Sequence, residues 1–598
     1  TGVGPSDGGT LALMNIDCKN VAITVLPNAP IDDSTGLPIP TIAVSTATGL
    51  NIIKDDGLVV TKIADNADTD VANLDFTNDG NLAVTRNNYN YVVVTKIDGD
   101  EDLEYPSQFT SNLNYFRYDT TNFPGPHSPK GSGNLSSFGY GFSNIPRSMQ
   151  GADLALADMY GLSIFNISMG LQHVGVRTTG NLVSYITKDF NTGWIVGDSR
   201  GAWLADTDDT NITALTLQAE SHSTLDSTFA TSTGWSMGSD WSISGGVATC
   251  NGNNSNIFLY PNTNTFPEGT SVAVEVTVTA YTSGTLNISF DTGNADAATA
   301  MTATGTYYFV GECTGNQIVY IRSASFVGSI DNVKMYIAEA DRSNNNKGLA
   351  VVGTITKTAV ATGADLVGYS GSGTSNYLEQ PYNSDLAFGT NADFSAMFWL
   401  YTTNVGGGQY IFDRSVTYGS SRDFQVWIAA DLRYMNLYVA GGLTVSTGNG
   451  AYKNNQWEHF CVLRRNNRAI IYVNGKEKNQ GASTLTTVGS SNVPMKVAYN
   501  MNANTKMALF RMSATAPSPE QVKKMYDDEK KLFLPNAKCT FYGSSDAVTG
   551  LDFDDSNNIL HVGTSGGRSE FVGLNRINNT TTAVTTAISA SNGLVAEQ

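Results

Sequence analysis

The sequence predicts an all-β protein in which a β-propeller-like array is interrupted by two β-sandwich insert domains of jelly-roll type. The 598 residues include 59 Gly, 27 Tyr and 25 Phe, whereas charged residues make up only 15% of the chain. β-Branched and aromatic runs are short and are separated by turns rich in Gly, Asn, Asp and Ser, as is typical of strands. A chain of this length exceeds what one hydrophobic core supports, so we expect several domains.

The propeller-like platform is predicted from a recurring unit in residues 1–217 and 535–598. Each unit is a short apolar strand, a turn that contains Gly and a second strand, as in "ADLALADMYGLSIFNI" and "TGWIVGDSRGAWLADTD". The units around Gly161 and Gly197 lie roughly 40 residues apart, about the length of a four-stranded propeller blade. The same pattern returns in "GLDFDDSNNILHVGTSGG" near the end of the chain.

Two inserts are predicted between the two parts of the platform. In the first, residues 218–340, the four valines of the segment 272–278 alternate with other residues, which predicts a strand with one buried face. About eight such strands predict a jelly roll. Residues 341–364 are expected to be a linker, and residues 365–534 a second sandwich.

The second sandwich carries the clearest local signals in the chain. Ser518 is expected to cap a helix, with Pro519 at its first position and Val522 on its apolar side. Residues 454–478, "NNQWEHFCVLRRNNRAIIYVNGKEK", predict two strands that are joined by an Asn-rich turn and followed by Asn-Gly.

Charge and hydropathy exclude two classes of partner. The net charge is −19, no cluster of Lys and Arg interrupts it, and a surface this acidic repels nucleic acid and anionic membranes. No apolar run approaches the ~20 residues of a membrane span. The chain begins at Thr1 without Met, so a fragment of a longer protein is left open as an alternative.

The spacing of cysteine and histidine gives little support for a metal site or a disulfide framework. The five cysteines are scattered without a C-x-x-C pair, so we expect reduced and mostly buried thiols rather than a disulfide framework or a zinc site. They are Cys18, Cys250, Cys313, Cys461 and Cys539. The few histidines lack the spacing of metal ligands, and His459 is expected to be structural.

Catalytic patterns are present but lack their structural context. Ser199 and Ser565 each lie in a G-x-S-x-G match, yet strands flank both, whereas a nucleophile elbow needs a following helix. Acidic clusters at 98–104, 206–209 and 552–555 are interpreted as solvated loops, with calcium ligation and catalysis left as alternatives. We therefore predict no enzyme, no catalytic residue, no metal site and no cofactor.

The second insert resembles the concanavalin-A-like, laminin-G-like sandwich family. Four stretches carry the resemblance in order: "SNYLEQPYNSDLAFGTNADFSAMFWLYTT", "YIFDRS", "QWEHFCVLRRNNRAIIYVNGKEK" and "MALFRMSATAPSPEQVKKMYDDE". The family often has an acidic residue before the strand that corresponds to "MALFRMS". Its absence here leaves a calcium site of the family type unsupported.

The first insert resembles the carbohydrate-binding-like jelly rolls of phage tail proteins, through "TGWSMGSDWSISGGVAT", "AYTSGTLNISF" and "FVGSIDNVKMYI". The whole arrangement resembles tail proteins of marine T7-like phages, of nozzle or fibre type. That resemblance implies a virion protein of the tail, assembled in the host cytoplasm as a homo-oligomer with other tail proteins. It also implies that the two inserts adhere to host-surface polysaccharide.

The sequence leaves three functions open within this interpretation. Adhesion to glycans is preferred, a purely structural nozzle or decoration component is the alternative, and a glycan depolymerase is third. Sugar faces stack on aromatic rings, so aromatic residues are the candidates for glycan contact. Those selected are Trp235, Trp241, Tyr410, Tyr418, Trp427, Tyr434 and Tyr452.

Overall fold

The structure is a computed structural model. The structure describes residues 18–26, 28–46, 49–64, 71–76, 82–86, 91–95, 104–105, 114–117, 153–158, 161–166, 182–214, 228–262, 266, 270–290, 300–313, 318–343, 348–380, 386–404, 406–415, 422–439, 442–482, 493–554, 557–581, 589–591 and 594–596. Within these residues nearly all regular structure is β-strand, which confirms the all-β fold class. Among the described helices, none has the length and hydropathy to cross a bilayer.

The chain divides into two compact units. The first comprises Thr1–Phe123, Gly133–Lys188 and Phe541–Gln598, and the second comprises Pro124–Ser132 and Asp189–Thr540. The first twelve strands belong to the first unit. They are β1 Cys18–Thr24, β2 Thr41–Thr46, β3 Gly49–Ile53, β4 Val59–Ala64, β5 Val71–Phe76, β6 Leu82–Arg86, β7 Tyr91–Thr95, β8 Glu104–Tyr105, β9 Asn114–Arg117, β10 Asp153–Asp158, β11 Gly161–Asn166 and β12 Leu182–Ile186.

The second unit opens with three short strands and a jelly roll. The short strands are β13 Ile195–Val196, β14 Ser199–Trp203 and β15 Ile212–Thr213. The jelly-roll strands are β16 Trp235–Met237, β17 Trp241–Ser244, β18 Val247–Asn251, β19 Ser255–Pro261, β20 Thr270–Ser289, β21 Gly305–Cys313 and β22 Tyr320–Glu339.

The jelly roll is built on two long antiparallel strands, β20 and β22, which pair along most of their length. All four valines of the segment 272–278 are buried in its core, as the alternation predicts. Strands β19 and β18 pair with the first half of β22, and β21 pairs with the first half of β20.

The second sandwich completes the unit with fourteen strands and one helix in its described residues. The strands are β23 Leu349–Val352, β24 Thr354–Ala359, β25 Val367–Ser370, β26 Tyr377–Gln380, β27 Phe394–Tyr401, β28 Gly408–Ser415, β29 Arg422–Ala429, β30 Tyr434–Val439, β31 Gly442–Ser446, β32 Trp457–Arg465, β33 Arg468–Val473, β34 Lys476–Ala482, β35 Met495–Val497 and β36 Lys506–Ser513. Helix α1, Pro519–Glu529, is followed by a 3-10 helix, Lys530–Phe533.

Two sheets enclose the core of this sandwich. One has the order β24-β25-β36-β27-β32-β33-β34, and the other has the order β23-β26-β35-β28-β29-β30-β31. Aromatic rings from both sheets meet between them: Phe412 of β28 lies 5.8 Å from Phe510 of β36, centroid to centroid. The residues that point away from this core form the two outer faces of the sandwich.

The predicted hairpin is present, and its turns follow from local sequence. Asn466 and Asn467 join β32 to β33 with φ of 50° and 62°, and Asn474 and Gly475 join β33 to β34 with φ of 51° and 71°. Two-residue turns with positive φ match the twist of paired strands, and Asn and Gly adopt positive φ most readily.

Helix α1 begins as predicted. The Ser518 side chain accepts a hydrogen bond from the backbone of Gln521, and the Gln521 side chain accepts one from the backbone of Ser518. This reciprocal pair is a capping box, with Pro519 at the first helical position. Val522 and Met525 are buried, so the helix packs through its apolar side.

Residues 189–214 differ from their predicted assignment to the platform, because their contacts are with the second sandwich. Residues of β14 pair with β36, and β15 pairs with β24. Trp203 lies in the sandwich core, stacked on Phe510 with 5.3 Å between ring centroids. The side chain of Asn191 donates to the carbonyl oxygen of Cys539 (2.8 Å), so the two ends of the segment Asp189–Thr540 lie together.

The segment 341–364 also differs from its prediction as a linker, because it contains β23 and β24. Leu349, Val351 and Ile355 are buried in the sandwich core, and β23 pairs with the end of β22. These apolar positions hold the segment in the sheets. The remaining predicted domain borders stay predictions.

The chain returns to the first unit with β37 Val548–Asp554, β38 Ile559–Thr564, β39 Gly567–Val572, β40 Asn575–Thr580, β41 Ser589–Ser591 and β42 Leu594–Ala596. Strands β5-β6-β7-β9 and β37-β38-β39-β40 are four-stranded antiparallel sheets, the size of a propeller blade. Closure of such sheets into a propeller stays a prediction.

Candidate functional site

One outer face of the second sandwich carries a group of aromatic side chains. Phe424, Val426 and Ile428 of β29 are buried in the core, so the alternate residues point to the opposite face of the sheet. On that face lie residues of β28, β29 and β30, which we call the aromatic face: Tyr410, Trp427, Tyr434 and Tyr438. All four are half-buried.

The rings of the aromatic face lie close together. Tyr410 is directly opposite Trp427 across β28 and β29, and the Trp427 and Tyr434 ring centroids are 5.4 Å apart. A Cβ atom at Gly408 would lie 2.0 Å from Nε1 of Trp427. The glycine therefore lets the indole lie against strand β28, since a glycine within a strand permits this close approach.

Two buried amides lie on the same side of the sheet. Gln425 is opposite Tyr438, and Asn436 is opposite Trp427. Nε2 of Gln425 and Oδ1 of Asn436 have no hydrogen-bond partner in the described part of the chain, while Nδ2 of Asn436 donates to the hydroxyl of Tyr438 (3.3 Å). Buried polar atoms without partners are uncommon, and here an amide donor and an amide acceptor lie in the sheet directly beside the four rings.

The phenol of Tyr434 remains protonated at neutral pH. Partial burial raises its pKa, and the neighbouring Tyr438 and Asp431 add to the effect. A neutral hydroxyl both donates and accepts hydrogen bonds. Together with the rings, these groups suit a ligand that has an apolar face and hydroxyl edges.

The structure separates the predicted contact residues into three groups. Tyr410, Trp427 and Tyr434 share the aromatic face. Tyr418 lies outside the described residues. The prediction that Trp235, Trp241 and Tyr452 contact a glycan is wrong.

These three rings are buried in cores. Trp235 and Trp241 are 6% and 5% exposed in the jelly-roll core, and Trp241 stacks near Phe326. Tyr452 is 3% exposed and lies edge-on to Phe460 in the sandwich core. A buried ring presents no face to a sugar, and large aromatic residues are more often core than surface.

The sequence reasoning missed Tyr438, Gln425, Asn436 and Gly408. The signal was available, since the alternation of β29 and β30 places Gln425 and Trp427 on one face and Asn436 and Tyr438 on the matching face. What the alternation could not give is the register between the strands.

The other outer face of the sandwich is covered by helix α1 and by residues 192–194. Glu529 at the end of the helix is fully buried and forms an ion pair with Arg511 of β36. Its carboxylate also accepts hydrogen bonds from Nε1 of Trp399 (2.7 Å) and from the backbone N–H of Trp194 (2.8 Å). Burial would raise the pKa of Glu529, but the Arg511 charge and these bonds outweigh it and lower the pKa. We call this the covered face.

His459 belongs to the covered face. It is fully buried beside Trp399, with ring centroids 5.3 Å apart, and neither ring nitrogen has a hydrogen-bond partner among the described residues. Burial lowers its pKa to about 4, although Glu529 acts in the opposite direction. His459 is therefore neutral and structural, as the sequence predicts.

The environment of Asp206 contradicts the prediction that residues 206–209 form a solvated loop. Its carboxylate is buried and accepts hydrogen bonds from Arg342 (Nη2, 2.6 Å) and from Lys357 (3.2 Å). Desolvation opposes ionisation, but these two cations outweigh it and lower the pKa of Asp206. Asp208 and Asp209 are exposed, as predicted.

Glu339 lies in the same network and accepts a hydrogen bond from the Tyr369 hydroxyl (2.8 Å). Burial and the charge of Asp206 raise the pKa of Glu339 to about 8. Two carboxylates with divergent pKa values are a pattern of acid–base catalysis. Asp206 and Glu339 are both buried and bonded to neighbouring side chains. We therefore interpret the pair as a structural contact between the jelly roll and the sandwich.

The two G-x-S-x-G serines, the possible metal ligands and the cysteines lie in the following surroundings. Ser199 begins strand β14, and Ser565 lies in the turn between β38 and β39, so no helix follows either residue. Among the described residues, no three His, Cys, Asp or Glu side chains are grouped to hold a metal ion. All five cysteines are free thiols, and Cys18 is the exposed one.

Comparison with known proteins places the aromatic face within a recognised domain. Residues 372–523 match the family model of the concanavalin A-like lectin/glucanases superfamily. This segment is similar to concanavalin A-like domains. It contains β28, β29 and β30 and with them the aromatic face, and the family unites lectins with glucanases.

Solved structures with partial likeness include toxin binding domains. The binding domain of Paraclostridial Mosquitocidal Protein 1 is 12% identical, with 40% of this chain and 69% of that chain covered and a TM-score of 0.28. The receptor binding domain of botulinum neurotoxin D is 15% identical, with 32% and 50% covered and a TM-score of 0.25.

The botulinum neurotoxin serotype G binding domain is 12% identical, with 39% and 61% covered and a TM-score of 0.26. The chain thus spans half the length of the botulinum neurotoxin D domain. Similarity at this level carries no conclusion about what the chain binds. No curated protein sequence matches it.

Proposed function

We propose that the protein is a structural component of a phage tail that adheres to glycans on the host surface through its lectin-like modules. The aromatic face of the second sandwich is the observation that carries the adhesion part of the proposal. Three half-buried rings, from Tyr410, Trp427 and Tyr434, lie on one sheet of a concanavalin A-like domain. Stacking on such rings is a common way in which proteins hold the apolar face of a sugar.

The tail assignment is supported by the sequence resemblance to phage tail proteins and by the order of modules. A propeller-like platform with two displayed inserts suits a particle in which many copies act together. Multivalency strengthens binding by ~10²–10⁴-fold without any new contact, so weak individual sites suffice.

The test measures binding of the full-length chain, displayed in many copies on beads, to a glycan array and to whole bacterial cells. We expect saturable binding that persists in EDTA, because stacking of a sugar on the rings of the aromatic face needs no metal ion. Trp427→Ala and Tyr434→Ala are each expected to lower binding at least tenfold. Thermal unfolding of each variant checks that the fold is retained.

Tyr307→Ala is the matched control. Tyr307 is a half-buried tyrosine on β21 of the jelly roll, away from the aromatic face. We expect it to bind like the wild-type chain. Equal binding by all three variants would show that the aromatic face is not the adhesive surface, and absence of binding by the wild-type chain would overturn adhesion altogether.

The alternative is a purely structural nozzle or decoration component, and one observation favours it. The Asp206 network joins residues 189–214, the end of β22 and strands β24 and β25 through buried ion pairs and hydrogen bonds. A unit tied together in this way suits a load-bearing part of a particle. Under this alternative, virions that carry Trp427→Ala adsorb to cells as fast as wild-type virions.

A further inference from the structure

A second group of aromatic rings lies on the jelly roll. Phe258 and Tyr260 of β19 and Tyr320 of β22 are half-buried, and the first two each contact Tyr320. The ring centroids of Tyr260 and Tyr320 are 4.9 Å apart, and those of Phe258 and Tyr320 are 5.5 Å apart in an edge-on arrangement.

The register of the sheet places these rings away from the jelly-roll core. Leu259 and Ile321, which pair across β19 and β22, are buried in the core. Their neighbours along each strand therefore point to the other face. On that face Phe258 lies opposite Arg322, and Arg322 lies opposite Asn287 of β20.

Arg322 is held in place by an amide rather than by a carboxylate. Nε of Arg322 donates to Oδ1 of Asn256 (3.0 Å), and Nη2 donates to the same oxygen. No carboxylate in the described part of the chain lies within ion-pair distance of it, although the chain has 54 acidic and 35 basic residues. A guanidinium fixed on one edge keeps its other N–H groups directed outward, and these fit a carboxylate.

We propose that Phe258, Tyr260, Tyr320 and Arg322, the ring–arginine platform, bind a carboxylated sugar unit of an acidic polysaccharide. The apolar face of the sugar stacks on the tyrosine rings, and its carboxylate accepts hydrogen bonds from the Arg322 guanidinium. Asn287, which is buried, lies beside Arg322 in the same row. This site lies in a different module from the aromatic face, and it deepens the proposed function by naming a class of glycan, so it rests on that function.

The net charge of −19 does not exclude such a ligand. Charges further than about 8 Å away are largely screened at physiological ionic strength, so the local arginine dominates the interaction. Nucleic acid also combines negative charge with flat rings, but its affinity depends on several phosphate contacts at once. The platform offers one arginine, which favours a single carboxylate.

The test measures affinity of the full-length chain for polygalacturonate, with dextran as the neutral polysaccharide, by affinity electrophoresis and calorimetry. We expect Arg322→Gln and Tyr260→Ala each to weaken binding to polygalacturonate at least tenfold. Binding to dextran should be unaffected by Arg322→Gln. Far-ultraviolet circular dichroism and thermal unfolding confirm that each variant is folded.

Arg468→Gln is the matched control. Arg468 also lies on a strand, donates to an amide oxygen, Oε1 of Gln480 (2.9 Å), and is exposed. It should bind polygalacturonate like the wild-type chain. Equal losses of polygalacturonate affinity in Arg322→Gln and Arg468→Gln would show that only net charge matters, and would overturn the platform. Tighter binding of a single-stranded oligonucleotide than of polygalacturonate would also overturn it.

The two proposals fail in different ways. If Trp427→Ala abolishes adhesion to cells while Arg322→Gln leaves polygalacturonate binding unchanged, the platform is wrong and adhesion stands. If the chain binds polygalacturonate through Arg322 but does not adhere to any cell, the platform stands as a site and host adhesion is wrong. Absence of binding to polygalacturonate by the wild-type chain overturns the platform.

Discussion

The two outer faces of the second sandwich begin from the same sequence pattern and end in different environments. Both place tryptophan and polar residues on the side of a strand that points away from the core. On the covered face, Trp399 is 2% exposed because helix α1 and residues 192–194 pack over it. On the aromatic face, Trp427 is half-buried, and none of the described helices packs on it.

The difference shows that strand alternation assigns a residue to a face but does not say whether that face is covered. On the covered face the charges of Arg511 and Glu529 pair with each other, while the ring nitrogens of the buried His459 have no hydrogen-bond partner among the described residues. On the aromatic face two amides retain unpaired atoms. We therefore expect substitutions on the covered face to act on stability and substitutions on the aromatic face to act on binding.

The largest effect is expected from Glu529→Ala on the covered face. Removal of the carboxylate leaves Arg511 buried without its counter-charge, which costs about 3–5 kcal/mol of unfolding free energy. Asp527→Ala is the control on the same helix, since its ion pairs with Lys523 and Lys530 are exposed and contribute at most about 1 kcal/mol. Denaturant unfolding of the two variants measures the contrast, and similar values for both would contradict the buried pair.

A smaller effect on the free energy of unfolding is expected from protonation of His459 at low pH. Its folded pKa of about 4 lies below the ordinary 6.5. Between these values the unfolded chain binds a proton that the folded chain does not, so the free energy of unfolding falls as pH falls through this window. The contribution of His459 is fully present above pH 6.5. Thermal unfolding from pH 7 to pH 4 should therefore show a declining melting temperature.

His459→Gln removes this titration and should flatten the decline. Some acid sensitivity remains, because the pKa of Glu529 is lowered and its stabilising charge is lost on protonation. An unchanged pH profile in the variant would show that His459 is not the group responsible.

The smallest effect on stability, and a clear effect on binding, is expected from Gly408→Ala on the aromatic face. The added Cβ displaces the Trp427 indole, which is half-buried and can move, so unfolding free energy should change by less than about 1 kcal/mol. Glycan binding should weaken severalfold because the rings are no longer arranged together. Gly406→Ala, whose Cβ meets only Asp431 at 3.9 Å, is the control and should bind normally.

Features that depend on neighbours in sequence were predictable. The Asn466–Asn467 turn, the Ser518 cap and the alternating valines of β20 each follow from residues a few positions apart. Propensity and periodicity act over this range, so the strands, the turns and the helix could be predicted from the sequence.

Features that depend on distant pairing were not predictable. Asp206 is buried because Arg342 and Lys357, more than a hundred residues away, reach it. Trp241 and Tyr452 were chosen as contact residues because aromatic residues bind sugars, but their burial is decided by which strands enclose them. Three of the four rings of the aromatic face could be found from composition, and the two amides beside them needed the register of β29 and β30.

The hydrogen bond between Asn191 and Cys539 has a consequence for evolution. The chain enters and leaves the segment Asp189–Thr540 of the second unit at adjacent points, so this segment is a cassette bounded by two closely spaced junctions. A gene recombination with breakpoints at these junctions exchanges the whole lectin-like cassette in one event. A gene with this architecture can exchange that cassette for another whose ends lie equally close, with no point mutation in the rest of the gene.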